Sequence, residues 1–189
     1  MPSGDIDKII SEADHRMKKA IQVLRDEFLT VRTGRASTAL VERVTVSYYG
    51  TQTPLNQLAT ISAPEPRMLT VQPYDKTVIN EMEKAIMQSD LGITPSNDGN
   101  LIRLPIPPLT EERRKDLIKV VKHMAEESRV AIRNVRRDAN EHLKALKKDK
   151  HMSEDEERRA EDEMQKKTDK YIEEIDHMLK QKETEIMEV

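Results

Sequence analysis

Residues 104–115 read LPIPPLTEERRK, and this stretch marks a change from one kind of structure to another. Three of its first five residues are prolines, which hold the backbone extended and do not fit inside a helix. Thr110 is a suitable helix N-cap, and the two glutamates after it favour the positive end of a helix dipole. The stretch therefore predicts that an irregular or strand-rich segment ends here and that a long helix begins.

The chain after Pro108 contains no further proline, and apolar residues recur there every three or four positions in two runs. The first run extends from Leu117 to Leu146. The second follows Ser153, whose spacing to Glu156 is that of a capping box. A similar apolar seam occupies residues 6–31. Three helices with such seams predict a three-helix bundle built from both ends of the chain, with a central helix about 55–60 Å long.

The segment between the two ends has a different composition, because it contains eight of the nine prolines. Residues 44–50 alternate apolar and polar and end in glycine, which predicts a strand and a turn. Residues 58–61 and 68–72 suggest two more strands. Helical periodicity returns at residues 75–92, and Asn97-Asp98-Gly99 is a good hairpin turn before a last strand. The segment is predicted to be a compact α/β module.

These patterns together predict an α+β protein of two domains. Residues 1–33 and 107–189 form an elongated three-helix bundle, and residues 34–106 form a small inserted β/α/β domain. The inserted domain is small for independent stability, so the bundle is expected to help hold it. Because it is joined to the bundle at two points, few relative orientations of the two domains are expected to be accessible.

We interpret the two connections, residues 32–36 and 104–108, as hinges. Thr33 and Gly34 form the outgoing hinge, because glycine adopts a positive φ at little cost. Pro105, Pro107 and Pro108 form the return, which they hold extended. A rigid elbow is the alternative interpretation, and the sequence does not decide between the two.

Composition excludes several classes of function. The chain has 35% charged and 3% aromatic residues, which is typical of extended, helix-rich proteins. It has no cysteine, so no thiolate metal site, thiol nucleophile or disulfide is available. The five glycines form no phosphate-binding cluster, and the histidines show no metalloprotease spacing. No apolar run approaches the roughly 18 residues of a membrane span. We expect a cytoplasmic protein that is not an enzyme, with no cofactor, no metal and no membrane contact.

The basic residues are concentrated on the central helix. Residues 109–150 carry 13 basic and eight acidic residues, whereas residues 151–189 carry seven and 14. At about 100° per residue, one line along the central helix, the basic stripe, collects most of these cations. Its members are Lys115, Lys122, Arg129, Arg133, Arg136, Asn140, Lys144 and Lys147.

The basic stripe lies about a third of a turn from the apolar seam, so we expect it to face solvent. Arginines crowded on adjacent turns repel one another unless an anion binds, and a guanidinium suits phosphate oxygens. Because no aromatic residue accompanies them, recognition of the shape and backbone of structured RNA fits better than base stacking. Pairing with the acidic third helix is the alternative, through Glu157, Glu161, Glu173 and Glu174, and the stripe alone leaves both open.

Six segments resemble one family. Residues 31–37 read VRTGRAS, residues 48–55 read YYGTQTPL, and EKAI at 83–86 is followed by SDLG at 89–92. Residues 107–115 read PPLTEERRK, and residues 130–140 read VAIRNVRRDAN. These motifs, in this order and over nearly the whole chain, resemble the ribosome recycling factor (ribosome-releasing factor) family of bacterial type.

The resemblance implies an L-shaped protein, a monomer, that enters the intersubunit space of the ribosome after translation termination. It would contact the 23S-type rRNA of the large subunit through the bundle. With elongation factor G, which hydrolyses GTP, it would split the ribosome into subunits. The rRNA-contacting arginines of the family fall on Arg129, Arg133 and Arg136, with Arg32 and Arg35 near the elbow. We add Arg137 and Lys122 to this predicted rRNA-binding set.

A second class of function is a protein-only interaction factor, such as a chaperone nucleotide-exchange module, which can also combine long helices with a small β-rich arm. Such a protein would have no salt-sensitive affinity for RNA and no need for the basic stripe. The residues that contact elongation factor G are not predicted by the sequence.

Overall fold

The computed structural model describes residues 2–150 and 152–188, which divide into two compact units. Unit 1 combines the described residues up to Arg32 with Glu111–Glu188, and unit 2 is Thr33–Thr110. Unit 1 is helical and unit 2 carries the strands, so the predicted class, a long helical bundle with a small β domain, is confirmed.

The helices and strands follow one another in the order that the sequence predicts. Two short elements, one strand (Thr51–Pro54) and one helical turn (Leu55–Leu58), were not predicted. The helices are α1 (Pro2–Leu29), α2 (Leu55–Leu58), α3 (Ile79–Gln88), α4 (Glu111–Lys150) and α5 (Glu154–Met187). The strands are β1 (Thr45–Tyr48), β2 (Thr51–Pro54), β3 (Ala59–Glu65), β4 (Met68–Pro73), β5 (Ser96–Asn97) and β6 (Ile102–Pro105). Single 3-10 turns occupy Thr38–Leu40 and Lys76–Val78.

Unit 1 is a bundle in which each of α1, α4 and α5 packs on the other two. Its fully buried side chains come from the predicted seams, and they include Met17, Leu24, Ile132, Leu143, Met164 and Ile175. The capping box that begins α5 is present, since Ser153 Oγ accepts from the Glu156 N–H at 3.2 Å and the Glu156 carboxylate accepts from the Ser153 N–H at 3.1 Å. The 40 residues of α4 make it about 60 Å long.

A polar network also joins α1 to α5. The Tyr171 hydroxyl donates to Asp14 Oδ1 at 2.6 Å, and Lys18 and Lys167 lie 3.0 and 3.5 Å from the same carboxylate. Burial raises the pKa of Asp14, but the hydrogen bonds from Tyr171 and Lys18 and the charge of Lys167 outweigh it, so the pKa lies below its ordinary value. The network therefore favours an ionised Asp14 in the folded bundle.

Unit 2 contains a β1–β2 hairpin and a four-stranded antiparallel sheet of order β3-β4-β6-β5. Alternate residues of β4 and β6 meet α3 in a core that includes Leu69, Val71, Met82, Ile86, Ile102 and Leu104. Sequence patterns did not indicate β2 or the single turn α2. Strand β2 has two exposed residues and no buried one, so it lacks the alternation of apolar and polar residues that marks a strand. Its structure depends on pairing with β1.

Both ends of unit 2 are tied to the turn between β3 and β4. The Ala36 N–H donates to the Pro66 carbonyl at 2.6 Å, and the Ile106 N–H donates to the Arg67 carbonyl at 2.8 Å. Pro105, a predicted hinge residue, lies in β6 opposite Met68, where rotation of the backbone would break the strand pairing. The strand pairing therefore restrains the backbone of Pro105, and its role as a hinge residue stays a prediction.

Gly34 has φ +76°, as expected of a glycine at a chain reversal. A Cβ added there would lie 3.3 Å from Leu109 Cγ, within the same unit. Thr33, Pro107 and Pro108 belong to no helix or strand. Four of the five predicted hinge residues, Thr33, Gly34, Pro107 and Pro108, thus lie outside the helices and strands, and the hinge stays a prediction.

Candidate nucleic-acid interface

Helix α4 positions the candidate interface. Its apolar seam is buried against the other helices through Leu117, Val121, Ile132, Val135 and Leu143. The basic stripe runs beside this seam, and part of it lies against α5. The prediction that the whole stripe faces solvent is therefore wrong, and its members fall into two groups with different surroundings.

Arg129 is the member most enclosed by carboxylates. Its Nε and Nη2 donate to Asp176 Oδ1 at 2.9 and 2.6 Å, and its Nη1 donates to Glu126 Oε2 at 3.0 Å. Only 18% of the side chain is exposed. Burial lowers the pKa of Arg129, but the bonds to Asp176 and Glu126 outweigh it and raise the pKa above its ordinary value. For this residue the alternative interpretation, pairing with the acidic third helix, is the one that the structure shows.

Three further members of the stripe contact α5. Arg136 Nη1 donates to Gln165 Oε1 at 2.9 Å, a bond to a neutral amide, and within residues 2–150 and 152–188 no carboxylate pairs with its charge. Lys147 lies 2.5 Å from Glu157, one of the predicted acidic partners. Lys122 is 3.9 Å from Glu183 and has a largely exposed side chain, so this ion pair is weak.

Arg133 is held loosely. Its Nη1 lies 3.5 Å from Glu126 Oε1, at the limit of a hydrogen bond, and 44% of its side chain is exposed. The helical repeat of 3.6 residues places Arg137 one turn further on the same side. Within residues 2–150 and 152–188, Arg137 is exposed and has no hydrogen-bond or ion-pair partner. A phosphate could therefore reach Arg133 and Arg137 together.

Lys119 and Lys144 extend this surface, since both are exposed and neither has a partner in the described part of the chain. We call Lys119, Arg133, Arg137 and Lys144 the open basic face. Lys119 is absent from the predicted stripe, although the same helical projection places it within about 40° of Arg133 and could have indicated it. The open basic face has the composition of a phosphate-binding surface.

Arg32 and Arg35 were also predicted to bind rRNA. Arg32 follows α1 and belongs to unit 1, whereas Arg35 belongs to unit 2. Both are exposed, and each already has an interaction within the chain. Their role in binding stays a prediction.

Two other features considered from the sequence, a metal site and a membrane span, are not found among the described residues. No group of three or more histidines, aspartates and glutamates among them could hold a metal ion. In the same residues, every helix is too short or too polar to cross a bilayer.

Comparison with known proteins gives a consistent picture over the whole chain. A family model described as "Ribosome recycling factor" matches residues 24–187. A ribosome-recycling factor of Carboxydothermus hydrogenoformans is 61% identical over 184 residues, which cover 97% of this chain and 100% of that protein. One from Geobacillus thermodenitrificans is 60% identical over 182 residues, covering 96% and 98%.

Solved structures agree with the sequence comparisons. A solution structure of a ribosome recycling factor matches with a TM-score of 0.74 and 45% identity, covering 98% of each chain. A second match describes the T. thermophilus ribosome recycling factor and the E. coli elongation factor G bound to the E. coli post-termination complex. It has a TM-score of 0.63 and 49% identity, covering 97% of this chain and 99% of that one.

Proposed function

Because this chain belongs to the ribosome recycling factor family, its function is ribosome recycling, and we propose that it docks on ribosomal RNA through the open basic face of α4. The observation that carries the proposal is the pair Arg133 and Arg137, two guanidinium groups one turn apart with exposed N–H donors. Bidentate donation to phosphate oxygens is the interaction that such groups make best. The target is the backbone of structured large-subunit rRNA rather than unpaired bases.

The partner in subunit splitting is elongation factor G, with which a structural relative is described on a post-termination complex. The GTP hydrolysis belongs to that partner. This chain supplies a stiff bundle for docking and a second unit, Thr33–Thr110, on which the partner acts. It works in the cytoplasm, where it meets ribosomes that have ended translation.

We propose that the protein acts as a wedge between the ribosomal subunits, and this action depends on the two connections between the units. A helical rod resists bending, so reorientation is concentrated at Thr33 and Gly34 on one side and at Pro107 and Pro108 on the other. Force on unit 2 is transmitted through both connections and becomes strain on intersubunit bridges. The double connection supports this proposal, because one flexible linker would transmit little force.

Arg137→Ala should weaken binding to isolated large ribosomal subunits about fivefold. One phosphate contact disappears, so the slope of log affinity against log salt should become flatter by about 0.9. The melting temperature should be nearly unchanged, since the side chain is exposed and unpaired. Sedimentation with large subunits across a salt series measures both quantities.

Arg158→Ala is the matched control for this experiment. Arg158 lies on α5, is exposed and has no partner within the described residues, so the variant makes the same change of charge away from the open basic face. Its effect should stay below about twofold. Equal losses in the two variants would contradict docking through this face, and salt-insensitive binding by the unmodified protein would instead favour the protein-only factor.

A further inference from the structure

Two carboxylates stand among the cations of the basic stripe, Glu126 on the same line of α4 and Asp176 on α5, and the docking proposed above assigns no role to either. Asp176 of α5 holds Nε and Nη2 of Arg129, and Glu126 of α4 holds its Nη1, at 2.6 to 3.0 Å. These distances are typical of strong charge-assisted hydrogen bonds. A stripe built only to attract RNA would have no carboxylates here, so their presence calls for a physical reason.

The carboxylates change what Arg129 can contribute to RNA binding. A phosphate that reaches Arg129 must displace a bond of similar strength, so the exchange yields little free energy. The displaced carboxylates also stay close and repel the incoming phosphate. Arg137, by contrast, gains a partner where it had none. Arg129 should therefore add almost nothing to binding of an arbitrary polyanion.

Glu126 couples Arg129 to its neighbour, because its second carboxylate oxygen, Oε1, lies 3.5 Å from Arg133 Nη1. A target that displaces Glu126 frees donors on both arginines at once. Such a target must offer phosphates to both guanidiniums, in the spacing that α4 sets. A single-stranded or loosely fitting RNA can satisfy only one of them.

We propose that Asp176 and Glu126 are specificity-determining residues that withhold Arg129 from RNA in general and release it only to a folded RNA whose phosphates fit Arg129 and Arg133 together. This inference rests on the proposed function and adds discrimination to it. When attraction alone binds every partner of the same charge, proteins commonly gain specificity from contacts that repel the wrong partner. Such repulsion suits a protein with an exposed row of cations that must avoid other RNA.

Asp176→Asn tests the inference because it removes the charge and keeps the shape of the side chain. The probe is a short single-stranded RNA of mixed sequence, the kind of RNA that can satisfy only one of the two arginines. Its affinity should rise about fivefold to tenfold, and the salt dependence should steepen by about one phosphate contact. Affinity for large ribosomal subunits should rise less, so the ratio between the two targets should fall. Glu126→Gln should act in the same direction, which gives a second variant if Asp176→Asn lowers the melting temperature.

Glu173→Gln is the charge-matched control, since Glu173 is on α5, is exposed and has no partner among the described residues. It should change the affinity for the single-stranded RNA less than twofold. The effect of Asp176→Asn should disappear in an Arg129→Ala background, because the released guanidinium is then absent. A gain that persists in that background, or a folded Asp176→Asn protein with unchanged affinity for the single-stranded RNA, overturns the inference. The proposed function fails by a different result, the Arg137→Ala series, so the two failures are distinguishable.

Discussion

Gly34→Val should lower the free energy of unfolding of unit 2 by about 2–4 kcal/mol. A residue with a Cβ at a positive φ costs about 1–2 kcal/mol, and a β-branched one costs more. Gly34 has φ +76°, and the new Cβ would lie 3.3 Å from Leu109 Cγ. The contact forces Leu109 to move or leaves it overpacked. Urea unfolding of the whole chain, followed by a probe in each unit, should show unit 2 unfolding earlier while unit 1 is unchanged.

Gly50→Val separates the two causes. Gly50 has φ +80°, but an added Cβ there meets no atom within 4 Å, so only the backbone cost should appear. In addition, Leu109→Ala introduced into the Gly34→Val protein should recover part of the lost stability, because it removes the side chain that is crowded. If Gly34→Val and Gly50→Val cost the same, the contact with Leu109 has no energetic weight.

The same substitution tests the wedge. Gly34→Val should reduce splitting of post-termination ribosomes with elongation factor G much more than it reduces binding to large subunits, because the open basic face lies on α4 and is untouched. Light scattering follows splitting, and sedimentation follows binding. Equal losses of both activities would contradict the role that we propose for this connection.

The bundle was predictable because its signals are local. The spacing of apolar residues along α1, α4 and α5 identifies the buried faces, and the Ser153–Glu156 capping box sets the start of α5. Short elements carry weaker signals. Strand β2 pairs with β1, and the turn α2 lies between β2 and β3. These two segments of four residues are too short to carry a periodic signal, so the sequence did not indicate either element.

The sequence predicted the position of the candidate site on α4. It predicted only in part which of its cations are exposed and which are paired with carboxylates. A helical projection places the cations on one side of α4, and this needs nothing beyond the repeat of the helix. The pairing of Arg129 depends on the register of α5 against α4, which brings Asp176 to it rather than Glu173 or Glu174. Register between two long helices is set by side-chain packing along the whole seam, so a count of charges per segment could not reveal it.

Tyr171→Phe should lower the free energy of unfolding of unit 1 by about 1.5–3 kcal/mol at neutral pH, the usual cost of losing a hydrogen bond to a charged group. The hydroxyl donates to Asp14 at 2.6 Å, and Tyr171 is only 4% exposed. Tyr49→Phe is the matched control, because Tyr49 is 80% exposed and should tolerate the change within about 0.5 kcal/mol. Thermal and urea unfolding followed by circular dichroism measure both variants.

The pH dependence of this loss identifies its origin. The pKa of Asp14 is lowered in the folded protein, so its stabilisation is present above the ordinary aspartate pKa and is lost as the pH falls through the lowered value. Burial and the bond to Asp14 raise the pKa of Tyr171, so its contribution is present below the ordinary tyrosine pKa and is lost as the pH rises beyond it. The difference between the unmodified protein and Tyr171→Phe should therefore shrink below about pH 4 and above about pH 10. A difference that stays constant across this range would show that the loss comes from repacking of the ring and not from the hydrogen bond that joins α1 to α5.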